Sequence, residues 1–360
     1  MDKPASNKLL SAPVLGTSAV IFAGLAYYLY TLRNNQSNVI GVKRSHLADE
    51  FEYTPKEIKS DWKVKSLWIY PLKSARGIEI DQIDVQKTGF QYDRQFMLAE
   101  WQQDAKTGES GWLLVDSASP TGGCLRLSFP SSRWRKVSFD VPLSTTFPGF
   151  ESLPLVSATI WKDKPLSHDL GSLFPKELEQ LGLFLGAKGC VTMMRASDTH
   201  LREVYRCAPR KEDLGYQSVV GFADAYPLHI LNIASIRELN ERVATAIPKL
   251  SVRRFRANII VEGPDAYNED DWKVLEIGSH KYHASCRTVR CKLPNVDPET
   301  GIRNPNEPDV TMRKYRTIDP GHKTGACMGL QMVPFDTQGI IKVGDKVTVL
   351  ERGEHCYISQ

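Results

Sequence analysis

The pattern of apolar and polar positions sets the first residues of the chain apart from the rest. From Leu9 to Leu32 there are 24 residues without a charged side chain. As a helix that rises about 1.5 Å per residue, this run would span roughly 36 Å, which is enough to cross a bilayer. Lys8 and Arg33 flank it. The pattern predicts one transmembrane helix in an uncleaved anchor at residues 1–33; a cleavable targeting peptide and a buried core helix are the alternatives.

The next stretch, residues 34–61, is polar at its start and carries scattered charges later. It contains no sustained apolar period, so the sequence predicts a linker here.

Past this linker, the apolar stretches become short and rich in β-branched and aromatic residues, which is typical of strands. The clearest are Val64–Tyr70, Ile78–Val85, Gln95–Trp101 and Gly111–Val115. Their spacing predicts a meander that closes into a barrel. The expected fold class is therefore mixed α+β and β-rich, with a β-barrel-like first domain.

Helical signals are fewer. Lys176–Leu185 follows Pro175, and Ser235 with Glu238 forms a capping-box pattern before an apolar period of helical spacing. Near the end, Gly339–Leu350 places β-branched residues on both sides of Gly344-Asp345 and predicts a hairpin or a turn. A domain boundary is expected between about residues 200 and 220, where arginines interrupt the apolar pattern.

Composition limits the class of protein. A length of 360 residues suggests about two domains. The balance of 46 Lys and Arg against 42 Asp and Glu leaves a net charge of +4, which gives no nucleic-acid-binding footprint. Seven scattered cysteines favour a reducing compartment over a disulfide framework.

Thiols and arginines alternate in the segment Ser285–Cys291. Cationic neighbours stabilise a thiolate, the form that binds metals or attacks electrophiles. Two cysteines five positions apart could bind zinc, with His280 and His283 as further ligands, but a structural zinc site favours closer pairs. Two buried cysteines of ordinary core type are the simpler interpretation.

Several short motifs occur in the order found in one known family. They are Tyr70-Pro71-Leu72-Lys73-Ser74, Tyr92-Asp93-Arg94-Gln95-Phe96, Arg254-Phe255-Arg256-Ala257-Asn258, and Arg290-Cys291 followed by Asp297-Pro298-Glu299-Thr300-Gly301. From Trp62 to Leu350 the chain resembles MOSC-domain proteins with the N-terminal β-barrel domain, and within them the mitochondrial amidoxime reducing components. The resemblance implies a MOSC N-terminal β-barrel domain at 62–205 and a β-barrel MOSC domain at 206–352.

The resemblance also implies a cofactor, Mo-molybdopterin, with Cys291 as the protein ligand of the metal and the catalytic residue. A soft thiolate is a suitable donor to molybdenum. The residues that match the family's cofactor site are Lys73, Ser74, Arg94, Arg256, Asn258 and Arg290. Guanidinium groups give charge-assisted hydrogen bonds to phosphate and to pterin carbonyls.

This chain departs from its relatives at three places. Cys286 precedes Cys291 by five positions, where relatives have a Cys-Ser-Arg-Cys run, so its role is open. The segment Asp224-Ala225-Tyr226-Pro227 replaces small hydroxyl side chains, which suggests backbone contacts to the pterin there. Met332 stands near an aromatic position of relatives and suggests a different pocket shape.

The implied function is a membrane-anchored molybdenum-cofactor oxidoreductase that reduces N-hydroxylated compounds such as amidoximes and hydroxylamines. Electrons would come from NADH through cytochrome b5 reductase and cytochrome b5, and no Gly-rich dinucleotide fingerprint is present in the chain itself. The expected localisation is the mitochondrial outer membrane, with the catalytic part in the cytosol. The alternatives are a sulfur carrier with a Cys291 persulfide and a scaffold that binds molybdopterin without turnover.

Overall fold

The structure is a computed structural model that describes residues 41–42, 44–52, 61–103, 110–115, 124–130 and 136–358. The strands of the first half are β1 (Lys63–Ile69), β2 (Ile78–Ile80), β3 (Gln82–Gln86), β4 (Gly89–Phe90), β5 (Phe96–Gln103), β6 (Ser110–Val115), β7 (Cys124–Pro130), β8 (Lys136–Pro142), β9 (Leu155–Thr159), β10 (Leu166–Asp169) and β11 (Val191–Ala196). Those of the second half are β12 (Arg202–Glu203), β13 (Val219–Val220), β14 (Leu228–Asn232), β15 (Ile259–Glu262), β16 (Trp272–Ile277), β17 (His280–Val289), β18 (Cys327–Pro334), β19 (Ile340–Lys342) and β20 (Val347–Arg352).

Helices are short and few in the described residues. The α-helices are α1 (Pro175–Leu185), α2 (Lys211–Leu214), α3 (Ile233–Val243) and α4 (Asp309–Tyr315). Single 3₁₀ turns occupy Phe150–Ser152, Gly171–Leu173, Val252–Phe255, Asn268–Asp271 and Leu293–Asn295. The predicted mixed, strand-rich fold is confirmed.

An eight-stranded sheet with the order β2-β1-β15-β14-β18-β17-β16-β20 forms the larger layer. All its pairs are antiparallel except β14 with β15. The early strand β1 lies inside this sheet, where Leu67 pairs with Ile259, and six of its seven residues are buried. The first segment of the chain is thus part of the same sheet as the last, and the expected division into 62–205 and 206–352 stays a prediction.

The second unit is a closed five-stranded barrel with the order β10-β11-β5-β6-β9. Its core joins fully buried side chains of β5 and β11 with those of α1 and of the hairpin β7-β8; Phe96, Leu127, Leu178 and Met193 are examples. A barrel is present as expected, but of the four predicted stretches only Gln95–Trp101 and Gly111–Val115 belong to it, as β5 and β6. The stretches Val64–Tyr70 and Ile78–Val85 form β1, β2 and β3, which belong to other sheets.

One predicted helix cap is wrong. The helix α3 begins at Ile233, three residues earlier than the capping-box pattern implies, because Asn232 is its N-cap and accepts a hydrogen bond from the backbone N–H of Ala234 (3.1 Å). Ser235 has another partner, since its hydroxyl donates to the buried carboxylate of Glu269 (2.7 Å). The helix predicted from Lys176 is confirmed as α1.

Of the hairpin or turn predicted at Gly339–Leu350, the turn is confirmed and the hairpin is not. The strand β19 pairs with β3, and β20 pairs with β16, so the two do not pair with each other. Asp345 closes the turn between them by accepting a hydrogen bond from the backbone N–H of Lys342 (2.8 Å).

The predicted membrane-anchored localisation is contradicted by the helices of the structure. In the described residues, none of them is both long enough and apolar enough to cross a bilayer. The apolar run Leu9–Leu32, on which that expectation rested, lies outside the described residues.

Substitution of two glycines distinguishes the cost in stability of a left-handed backbone from the cost of crowding around an added β-carbon. Gly329 (φ +76°) and Gly344 (φ +91°) both have positive φ, but a β-carbon on Gly329 would lie 2.5 Å from His229 Nε2 and from the carbonyl oxygen of Ile230, whereas one on Gly344 would have nothing within 4 Å. We expect Gly344→Ala to cost about 1–2 kcal/mol from the left-handed conformation. Gly329→Ala should cost more than about 3 kcal/mol because the overlap with a sheet carbonyl adds to it. Urea unfolding measures both free energies, and equal losses would contradict the crowding.

Candidate functional site

A cavity of about 750 Å³ lies between the large sheet and the barrel. The sheet side provides residues from the central strands β14, β18 and β17 and from the loops after β1 and before β15, and the barrel side provides residues 161–163. Its walls include all the side chains that the sequence predicts for the site: Lys73, Ser74, Arg94, Arg256, Asn258, Arg290 and Cys291. Segments more than 200 positions apart therefore converge as expected.

Lys73 is a buried cation in this wall, with 4% of its surface exposed. Its ammonium group donates to the carbonyl oxygen of Phe222 (3.1 Å) and forms an ion pair with Asp224. Burial lowers the pKa of Lys73, and the Asp224 carboxylate opposes that effect. The indole N–H of Trp161 also donates to Asp224 (3.1 Å), so a barrel residue is tied to the sheet side of the cavity.

Arg94 is fixed by three acceptors. It forms an ion pair with the adjacent Asp93 and donates to Asn258 Oδ1 (3.0 Å) and to the carbonyl oxygen of Arg256 (3.1 Å). Burial opposes its charge, but the Asp93 carboxylate outweighs burial and raises the pKa of Arg94. The other amide atom of Asn258 donates to the carbonyl oxygen of Trp68 (3.1 Å). The two polar atoms of the Asn258 side chain therefore hold Arg94 and β1 in place.

Arg256 lies close to the same aromatic ring as Arg94. Their guanidinium carbons are 4.3 and 4.7 Å from the centroid of the Tyr70 ring, a cation–π arrangement. The Arg256 guanidinium also donates to the carbonyl oxygen of Ala75. Burial, followed by repulsion from Arg94, lowers the pKa of Arg256 to about 10. No carboxylate of the described residues forms an ion pair with Arg256.

Two polar atoms of the wall lack partners. Arg290 donates through Nη2 to the carbonyl oxygen of Phe255 (2.9 Å), but no acceptor in the described part of the chain meets its buried Nε. The buried hydroxyl of Thr288 likewise has no partner among the described residues. A buried polar atom without a partner costs about 1–3 kcal/mol, so a ligand with hydrogen-bonding groups would stabilise this wall.

Cys291 lies two residues after the end of β17 and is an exposed residue of the cavity lining. Its sulfur accepts a hydrogen bond from the backbone N–H of Leu293 (3.4 Å). His229, another lining residue, is held neutral because burial and then Arg290 lower its pKa well below the ordinary value. The accessible thiol therefore shares the cavity with several cations and one neutral imidazole.

The cavity is strongly positive and locally strained. Eight Lys and Arg residues line it against two Asp. Of the seven non-glycine residues with positive φ in the described chain, five are in its lining: Ser74, Arg94, Trp161, Arg206 and Arg256. Residues held in this conformation cost about 1–3 kcal/mol each and concentrate at functional sites. The strain is typical of a functional site, and the excess of positive charge suits an anion.

Part of the lining is not predicted from the sequence. Arg202, Arg206 and Arg287 belong to it, as do Lys162 and Trp161 of the barrel. Arg202 and Arg206 stood out in the sequence only as a break in apolar patterning. Their basic character at a domain boundary was the available signal for a cavity between the domains.

Three expectations about neighbouring residues need correction or refinement. Met332 is fully buried in the core of the large sheet and is not part of the cavity lining, so it does not shape the pocket. His280 and His283 are half-buried and outside the lining. Cys286 is fully buried in a separate apolar cluster, away from the exposed Cys291. Within the described ranges, no group of three or more His, Cys, Asp and Glu could hold a metal, which removes the zinc alternative there.

The donor set of the cavity fits a phosphorylated, anionic cofactor with a metal bound through one thiolate. Guanidinium and ammonium groups surround it, and a soft sulfur donor is exposed at its wall.

Comparison with known proteins identifies the class that this fold and site define. Residues 217–348 match the MOSC domain and residues 62–110 match the MOSC N-terminal beta barrel domain. The chain belongs to the MOSC-domain proteins that carry this N-terminal barrel domain.

The chain is also similar to individual proteins, which are all amidoxime-reducing components. The chain is 27% identical over 303 residues to mitochondrial amidoxime-reducing component 1 of Mus musculus, which covers 80% of this chain and 82% of that protein. It is 27% identical over 293 residues to mitochondrial amidoxime reducing component 2 of Bos taurus, covering 79% and 82%. Over a shorter stretch of 135 residues it is 36% identical to component 1 of Homo sapiens, covering 36% and 39%.

The buried pair of Asp93 and Arg94 should matter more to stability than an equivalent pair near the surface. Asp93→Asn leaves a largely buried guanidinium without its counter-charge, and we expect a loss of about 3–5 kcal/mol. The control is Asp140→Asn, because Asp140 pairs with Arg126 in two hydrogen bonds of 2.6 Å but both side chains are more exposed. It should lose no more than about 1 kcal/mol. Denaturant unfolding at low and high salt compares them; similar losses would mean that Arg94 is not held by Asp93.

Proposed function

We propose that this protein is a molybdenum-cofactor oxidoreductase that reduces N-hydroxylated compounds such as amidoximes and hydroxylamines. For an amidoxime, the overall reaction consumes two electrons and two protons and releases the amidine and water. The observation that carries the proposal is the convergence of six predicted cofactor residues and one accessible thiol on a single cationic cavity. The names of the relatives support the substrate class.

The basic residues would hold the cofactor, Mo-molybdopterin. Lys73, Arg94 and Arg256 are fixed by backbone carbonyls and ion pairs before any ligand binds, so little ordering cost remains when an anion enters. Arg290 has a free buried Nε, which is suited to a phosphate oxygen or a pterin carbonyl. Ser74 adds a hydroxyl at a strained turn beside Lys73.

Cys291 would be the protein ligand of the metal. Its thiolate is a soft donor, and the accessible position at the end of β17 lets the sulfur face the cavity. When bound, the cofactor supplies the two-electron redox chemistry. The protein's part is to orient the cofactor, to neutralise its negative charge and to admit the substrate.

The open side of the cavity would receive the substrate and the electrons. Trp161 is 73% exposed there and provides an aromatic surface for a small planar N-hydroxylated compound. We propose that the electrons come from NADH through cytochrome b5 reductase and cytochrome b5, as the resemblance to amidoxime reducing components implies.

The two neighbouring cysteines should differ in their effect on turnover. Cys291→Ser should abolish amidoxime reduction because a serine hydroxyl is a harder and far less acidic donor than a thiol. Cys286→Ser should keep most activity because Cys286 is buried in a separate cluster. Turnover with a reconstituted electron chain and the molybdenum absorption edge are measured for both variants.

Other outcomes are equally informative. Loss of the metal–thiolate signal in Cys286→Ser alone would exchange the two assignments. Purified protein without stoichiometric molybdenum, but with a persulfide on Cys291, would favour the sulfur carrier. Tight molybdenum binding without any turnover would favour the scaffold.

The cationic wall should determine cofactor retention. Arg94→Ala and Arg256→Ala should lower the molybdenum and pterin content of purified protein severalfold, since each charge-assisted contact contributes about 1.5–3 kcal/mol. Arg352→Ala is the control, because Arg352 is exposed and pairs with Asp271 outside the cavity. Metal analysis and pterin fluorescence of the three variants test this, and equal contents would remove both residues from the site.

A further inference from the structure

Cys286, whose role the sequence left open, has a thiol neighbour of its own. It lies in β17 with no exposed surface, within a cluster that also contains Tyr226 and Val333. Cys207 packs against the same cluster from the loop after β12, but it is only half-buried. Two thiols distant in sequence are therefore brought together, one accessible and one enclosed.

The surroundings of Cys207 are those of a reactive thiol. Its sulfur accepts a hydrogen bond from the backbone N–H of Ile358 (3.4 Å). The side chains of Cys286 and Tyr226 belong to the cluster against which Cys207 packs. As a thiol, Cys207 can donate to the carbonyl oxygen of Cys356 (3.6 Å). One backbone donor therefore reaches the sulfur, and a thiol and a phenol lie in the cluster beside it, so polar hydrogens near the sulfur stabilise a thiolate.

The pKa values divide the roles between the two cysteines. The hydrogen bond from Cys286 is the main cause that lowers the pKa of Cys207 to about 6, against the effect of burial. The same hydrogen bond, with burial second, raises the pKa of Cys286. Near neutral pH, Cys207 is therefore the nucleophile and Cys286 the protonated partner.

We propose that Cys207 and Cys286 form a peroxide-reactive dithiol that is oxidised to an intrachain disulfide. The Cys207 thiolate attacks hydrogen peroxide, the O–O bond breaks, and Cys207 becomes a sulfenic acid while hydroxide leaves and takes up a proton. The Cys286 sulfur then attacks the sulfenic sulfur, and the S–S bond forms as the hydroxyl group leaves as water. In total, two thiols and one peroxide give one disulfide and two waters.

This site is distinct from the proposed metal ligand but adjoins its cavity. Arg206, the residue before Cys207, and Tyr226, a member of the same cluster, both line the cavity that contains Cys291. The proposal does not depend on the proposed function, since it concerns two thiols outside the metal site.

The first arm of the test uses the full-length purified protein as it is. Alkylation of Cys207 by iodoacetamide, followed by peptide mass spectrometry, should show a pH midpoint near 6, whereas N-acetylcysteine in the same tube titrates near the ordinary value of about 8.5. A midpoint of Cys207 above 8 would overturn the proposal.

The second arm treats the protein with stoichiometric hydrogen peroxide and maps disulfides without reduction. We expect the Cys207–Cys286 peptide pair, reversed by dithiothreitol, in wild type and in the control Cys190→Ser, whose thiol is exposed elsewhere. Cys286→Ala should instead accumulate sulfinic acid on Cys207. A Cys207–Cys356 disulfide, or unmodified Cys207 in wild type after treatment, would overturn the assignment even if Cys286→Ala failed to fold.

Discussion

The constraint on which the site depends is the burial of several cations around one cavity with few carboxylates to balance them. Arg94 has Asp93 and Lys73 has Asp224, but Arg256 has no acidic partner in the described chain. Taking an unpaired charge out of water costs several kcal/mol. The protein offsets that cost with carbonyl oxygens and with the ring of Tyr70.

This need for carbonyl oxygens explains much of the local backbone. The carbonyl of Arg256 accepts from Arg94, and Arg256 itself has φ +55°, in the left-handed region. Ser74 and Arg94 share that conformation. The strain at these turns places the chain where its carbonyls can meet guanidinium groups, so an anionic ligand completes an arrangement that is already built. A site that is positive and rigid before binding loses little freedom on binding.

The sequence could predict the strands and the principal site residues. It could not predict which strands pair with each other or which groups contact each side chain. Short runs of apolar and aromatic residues identified β1 and β5 correctly because period and composition are local properties. The partner of β19 is the distant β3, and no local pattern contains that pairing. Ser235 has the right spacing for a cap, yet a buried carboxylate from Glu269 takes its hydroxyl. The same limit applies to Arg202 and Trp161, which enter the cavity only through the packing of the two units.

The position of β1 affects how the chain folds during its synthesis on the ribosome. Asn258, just before β15, hydrogen-bonds to the carbonyl oxygen of Trp68 across 190 positions of the chain. At roughly 5–20 residues per second, a ribosome needs on the order of 10–40 s to deliver the partner strand after β1 has been made. The barrel strands β5 to β11 are all synthesised within that interval. With β2 on one side, β1 must therefore keep its other edge open while the barrel strands are made, and that open edge is where a chaperone would have most to protect.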